Sequence, residues 1–186
     1  MQLVRIFVPS NTENGIWSVQ LGNKVQNEFD EFFNLMHDVE WLYDFFEKNK
    51  DDLNSGFFRN ITTEKAVLLT LEEAQEMEDI LYDYVEQGAS TEGNNLQHLF
   101  KPLNNFEYTL VIHQKSKARI HKGWLRLYAI RLAENCYLVT GGGIKLTKDM
   151  QREHLQNELK KLEKVKTFLQ DNGIYYPQDL NSNSNE

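Results

Sequence analysis

Apolar and polar side chains alternate along Leu3 to Val8 and again along Ile16 to Leu21, the period of a half-buried strand. Between them Asn11 to Gly15 supplies turn residues, so the chain is predicted to open on an antiparallel hairpin. The period then changes. Phe29, Phe32, Phe33, Met36, Val39, Tyr43 and Phe46 recur at intervals of three and four, while Asp30, Glu31, Asp38, Glu40 and Glu47 take much of the other face. This spacing predicts one amphipathic helix from Glu28 to Lys50, ended by Asp51 to Gly56, whose aromatic stripe is read as core rather than as a groove for a partner. A short helical piece over Thr63 to Leu69 follows. Thr70 and Glu73 then have the spacing of a capping box, which predicts a second, acidic helix from Leu71 to about Gln87.

Gly88 to Asn95 is the loosest internal segment. Beyond Leu99, Phe100 and a PLNN turn, alternation predicts strands over Tyr108 to His113, Gly123 to Leu132 and Tyr137 to Ile144, the last two joined as a hairpin across Ala133 to Cys136. Leu155, Leu159, Leu162, Val165 or Lys166, and Leu169 mark a closing helix that Gly173 can end at a left-handed position. The final QDLNSNSNE has nothing to bury and is expected to be a disordered tail. The order of elements gives an α+β fold: a mostly antiparallel sheet of five to six strands, helices packed on one side, and the closing helix against the sheet. A chain of 186 residues fits one domain with an elaboration. Residues 1–62 form a hairpin-and-helix extension packed into the same unit, 63–176 the α+β core, and 177–186 the tail.

Charge changes this picture. The net charge of −8 divides into −13 over residues 1 to 100 and +5 over residues 101 to 186. From Lys115 to Lys148, eight Lys and Arg side chains meet Glu134 alone, a local balance of +7. Such an island points to an anionic partner, with Lys115, Lys117, Arg119, Lys122 and Arg131 as candidate RNA contacts. The blander reading is that these residues solvate the outer face of a half-exposed sheet. A third arrangement follows from the charge split: the acidic extension, residues 1–62, could lie over the basic sheet and mask it. Cys136 is the only cysteine, which rules out an intrachain disulfide, and is read as a small packed residue. The five histidines are dispersed, so neither a metal nor another cofactor is expected, and His37 and His113 are read as partly buried, hydrogen-bonded residues. The glycines at 141 to 143 lack the spacing of a phosphate loop and are read as a bulge or a close backbone approach. No run of about 18 apolar residues occurs, so a cytoplasmic, soluble protein without a membrane span is expected.

Taken together, LFKPLNN, GWLRLYAIRLAENCYLVTGGGIKLTKDM and ELKKLEKVKTFL make the stretch from about Leu71 to Leu169 resemble the RelE/HigB superfamily of bacterial type II toxins, in particular its phage-derived HigB-like branch. The resemblance implies a ribosome-dependent endonuclease that cuts messenger RNA without a metal, silenced by a small antitoxin that often carries a helix-turn-helix domain. Matched by motif position, Arg126 in LRLY is the family's strand arginine, and Lys145 and Lys148 in GIKLTK are its basic turn. Arginine suits the task because its planar fork meets two phosphate oxygens at once. His121 is a proton-transfer candidate by proximity in sequence alone. The family places a general base, often tyrosine, near its C-terminus, where this chain offers Tyr175 and Tyr176. The alternative is a non-catalytic member of the same fold that binds RNA or protein.

Overall fold

The computed structural model describes residues 1–55, 61–88, 94–104 and 111–181. Strands β1 (Gln2–Phe7) and β2 (Gly15–Gln20) form the expected antiparallel hairpin. Three helices follow where the spacing predicted one: α1 (Glu28–His37), α2 (Val39–Lys48) and α3 (Lys50–Ser55). The first break falls at Asp38, which is extended (φ −83°, ψ 100°) and accepts a hydrogen bond from the Trp41 N–H at 3.0 Å. An acid assigned to the outer face is instead the N-cap of α2.

Helix α4 (Thr63–Gly88) runs unbroken through the predicted capping box. Thr70 is fully buried inside it; its hydroxyl donates to the Ala66 carbonyl at 2.8 Å and accepts the Trp124 Nε1–H at 2.9 Å. The Glu73 carboxylate accepts the backbone N–H groups of Trp124 and Leu125 at 3.2 and 3.1 Å. Both side chains therefore serve a strand more than fifty residues away rather than a helix start. Next come α5 (Leu96–Leu99), β3 (Phe100–Pro102), β4 (Gln114–Ala118), β5 (Leu125–Ala133), β6 (Cys136–Ile144), α6 (Glu153–Asp171) and α7 (Pro177–Asn181). Half of the strand predicted over Tyr108 to His113, and most of the loose segment from Gly88, lie outside the described residues. The end of that predicted strand is a turn, with His113 at φ +57°, and the strand begins one residue later. Gly173 ends α6 as expected, at φ +66°. The expected tail is corrected too: α7 buries Leu180 completely, while residues 182–186 lie outside the described set.

The six strands form one sheet in the order β1-β2-β6-β5-β4-β3, antiparallel except for the β2/β6 pair, so the fold is α+β. The extension thus shares its sheet with the core. Strands β5 and β6 are apolar on both faces because both faces are covered. On one side Ile16, Leu127 and Val139 meet Phe29, Phe33 and Phe46 of α1 and α2 and Met77 and Leu81 of α4. On the other, Trp17, Ile130 and Leu138 meet Leu162, Val165 and Leu169 of α6. The closing helix therefore takes the face opposite the earlier helices, packed chiefly on β6 and β5.

Two of the three glycines at 141 to 143 make this closeness possible. The register passes from Tyr128↔Gly141 to Ala129↔Val139, so Thr140 is an extra, bulged residue. Gly141 has φ +146°, and a Cβ there would overlap the Glu158 carboxylate of α6; one on Gly142 would overlap the Phe32 ring of α1.

Candidate cationic site

Residues two apart on a strand share a face, and the register carries that face across the sheet. Lys101 lies opposite Lys117, and Lys117 opposite Tyr128. Arg126, two residues before Tyr128, shares its side, the side that α6 covers. Lys101, Lys117, Arg119 and Arg126, with Lys145 and Lys148 from the segment after β6, line a cavity of about 750 Å³. Among the described residues that line it there is no carboxylate. Leu103, Tyr128, Met150 and Leu159 supply an apolar part of the wall.

The cations are held by main-chain oxygens. Arg126 Nη1 donates to the carbonyls of Gly123 (2.9 Å) and Leu125 (2.6 Å). Lys145 Nζ donates to those of Thr147 (2.8 Å) and Lys148 (2.6 Å), and Lys117 Nζ to that of Leu103 (3.0 Å). These bonds orient the charged heads while leaving them close to one another. Burial lowers the pKa of Lys117, Arg126 and Lys145, and neighbouring cations lower each further: Arg126 and Arg119 for Lys117, Arg119 for Arg126, Arg126 and Lys117 for Lys145. A cluster that repels itself in a half-buried hollow is poised to gain free energy from an anion.

Five of the sequence-predicted residues come together here: Lys117, Arg119, Arg126, Lys145 and Lys148. The others do not. Lys115 lies on the same face but is paired with Glu163 of α6. Arg131 is five residues from Arg126, an odd spacing that turns it to the opposite face, where its Nη2 donates to Gln97 Oε1 at 3.0 Å. Lys122 is exposed in the turn before β5 and lies outside the lining. His121, at φ +44° in the same turn, is drawn away to α4, with its Nε2 2.7 Å from Glu76 Oε1. The proton-transfer candidate is therefore on the wrong side. Tyr175 stacks on His113 at 5.3 Å, and neither it nor Tyr176 lines the cavity.

Sequence reasoning missed Lys101, whose alternation after Phe100 could have placed it, and His98. The signal for His98 is its position three residues after Asn95: its Nδ1 accepts the Asn95 N–H at 3.2 Å, closing a capping box and leaving Nε2 directed elsewhere. His113, by contrast, is buried with Nε2 2.6 Å from the Ile174 carbonyl, and Cys136 is buried with its thiol pKa pushed up by that burial. His37 is exposed, its Nδ1 2.8 Å from the Phe33 carbonyl. Among the described residues of the extension, the acidic helices α1 and α2 pack on the far face, and Glu28 and Asp52 reach Lys161 and Arg152, neither of which lines the cavity; α4, beyond the extension, brings Tyr84 to the lining.

Among the described residues no three His, Cys, Asp or Glu side chains converge as metal ligands would, and no helix is long and apolar enough to cross a membrane. Comparison with protein-family models, curated proteins and solved structures finds no match to this chain.

Proposed function

We propose that the chain is an RNA-binding protein that takes phosphate groups into the cavity between β3, β4, β5 and the turn after β6. The observation that carries this reading is the lining: six cations and, among the described residues, no carboxylate. Arg126 would be the principal contact, because its half-buried guanidinium can present a planar fork to a phosphodiester while carbonyls fix its other nitrogen. The motif resemblance to RelE/HigB-like toxins points the same way, with ribosome-bound messenger RNA as the target and a helix-turn-helix antitoxin as the partner that would silence it.

Cleavage is a second reading, favoured by one observation, the presence of His98 in the lining. Metal-independent cutting needs a base for the 2′-hydroxyl, donors for the non-bridging oxygens and an acid for the departing 5′-oxygen; His98 would take the 2′-proton, Arg126 and Lys145 would hold the non-bridging oxygens, and the Lys148 ammonium would protonate the 5′-oxygen as its bond to phosphorus breaks.

Binding of a labelled single-stranded RNA across a salt series tests both. Phosphate contacts give a slope of log K against log salt of about −0.7 per contact on single strands, so Arg119→Ala with Arg126→Ala is expected to flatten it by roughly 1.4. Salt-independent binding, or none, overturns the proposal. Expression of the wild type and of His98→Ala, with mapping of cut messages, then separates the readings: cuts lost in the variant while affinity holds support an endonuclease, and intact messages with the wild type leave a binding module.

A further inference from the structure

The cations explain only part of the cavity. Leu103, Met150 and Leu159 face the same hollow, with the ring of Tyr128 behind them, and a bare anion would leave this surface wet. Apolar wall beside a phosphate clamp calls for a ligand that is itself divided, charged at one end and flat and apolar at the other. The volume suits such a guest: about 750 Å³ lies within the range of about 300–1,000 Å³ usual for small-molecule sites.

Resting on the reading of the cavity as a phosphate site, we infer that it seats one whole nucleotide, its phosphates on Arg119, Arg126 and Lys145 and its base against Leu103, Met150 and Leu159. The seat is held firm from behind. Tyr128 is 1% exposed, and its hydroxyl donates to Met150 Sδ at 3.6 Å, which holds a polarizable sulfur where the edge or face of a base can lie on it. Leu159 is kept in place by its neighbour Glu158, whose carboxylate is packed on Gly141 and bonded to Lys161 at 2.8 Å. The apolar wall offers stacking surface rather than a pattern of donors and acceptors, so the seat accepts any of the four bases. A free nucleoside polyphosphate and one nucleotide of a single strand present the same chemistry, and the site takes that shared unit.

Titration calorimetry on the full chain with adenosine triphosphate, inorganic triphosphate and a single-stranded decaribonucleotide tests this. Burying roughly 50–100 Å² of a base against this aliphatic wall, at about 25 cal/mol per Å², strengthens binding by about 8- to 70-fold, so adenosine triphosphate is expected to bind at least about fivefold tighter than inorganic triphosphate. In the Met150→Ala, Leu159→Ala variant that advantage should shrink to about twofold or less, with inorganic triphosphate bound as before, which also reports a folded cavity. Equal binding of the two triphosphates by the wild type overturns the base seat and leaves the phosphate site standing. If neither they nor the RNA bind, both readings fail. Both supporting cases name a source: adenosine triphosphate binding tighter than the oligonucleotide marks a free nucleotide, and the reverse marks a nucleotide within a strand.

Discussion

Glu158 offers the sharpest test of how the two helical layers are joined. Its carboxyl sits between α6 and Gly141 of β6; Oε1 is 2.8 Å from Lys161 Nζ, while Oε2 is buried with no hydrogen-bond partner. Lys161 is shared with the buried Glu28 of α1 at 2.5 Å, and Glu28 also takes Lys24 at 2.8 Å. Burial outweighs the help from Lys161, the charge of Glu28 adds to it, and the carboxyl is pushed up to about 7 from the usual 4.5. The folded chain thus keeps this proton to a higher pH than the unfolded chain does. Stability from this group is complete below about pH 4.5 and falls as the pH rises to about 7. At about 1.4 kcal/mol per unit the full effect is about 3 kcal/mol, of which about 2 to 3 kcal/mol falls between pH 5 and pH 8. Glu158→Gln keeps the shape and removes the titration. Thermal melts of both proteins at pH 5, 6, 7 and 8 should therefore diverge, the variant gaining on the wild type by roughly 5–10 °C over the series, since about 1 kcal/mol moves a chain of this size by about 2–4 °C. Melting curves that run parallel from pH 5 to pH 8 would refute the reasoning, because they would mean that the carboxyl titrates as a surface glutamate does.

Three further outcomes are expected. Gly141→Ala combines a backbone at φ +146° with an overlap on the Glu158 carboxylate and should cost at least about 2 kcal/mol in a urea titration, whereas Gly143→Ala, whose nearest neighbours are 3.8 and 3.9 Å away, should melt close to the wild type. Thr70→Val removes the hydroxyl that accepts the Trp124 Nε1–H and should cost about 1–3 kcal/mol, read by the same titration. For RNA, Arg119→Ala should weaken binding several-fold at low salt, and His121→Ala, which removes a residue held on the α4 side, should leave it within about twofold; equal losses in the two would mean that the binding face is wrongly assigned.

The opening hairpin and the closing helix were legible because each has a clear period over six or more residues, and the two central strands because their apolar runs flank a short turn. The helix breaks were not, since Asp38 looks like any outer-face acid until its backbone is seen to be extended. The Thr70 and Glu73 pair misled for a related reason: the spacing of a local cap is also the spacing of two neighbours on a continuous helix, and only the position of Trp124 and Leu125 decides between them. The cationic cluster was half visible. Alternation along one strand tells which residues share a face, and on that ground Arg131 could have been separated from Arg126; it cannot tell which face a helix will cover. His121 failed because proximity in sequence across a turn says nothing of direction, and here Glu76 sets the direction.

The division of charge along the chain becomes a division between faces because the sheet separates them. Strand β4 has its Gln114, Ser116 and Ala118 buried while Lys115 and Lys117 alternate with them half-buried, so it can be packed on one side only. The nineteen residues of α6 lie chiefly over β6 and β5 and turn Leu159 into the cavity's wall, so that the helix borders the hollow instead of filling it. The acids of α2 and α4 point outward from the opposite layer: Glu40, Asp44, Glu72, Asp79 and Glu86 are all exposed there. Being exposed, these acids are screened by physiological salt over about 8 Å, whereas the half-buried Glu73 of α4 acts on Arg126 through the sheet and offsets part of the lowering of its pKa. A polyanion approaching the open side meets the cations first, and its rate of arrival should fall steeply as salt is raised. On that side the described acids nearest the cations are Glu163, which pairs with Lys115, and Asp149, which acts on Lys145, while α1 and α2 are committed by Phe29 and Phe46 to the other face.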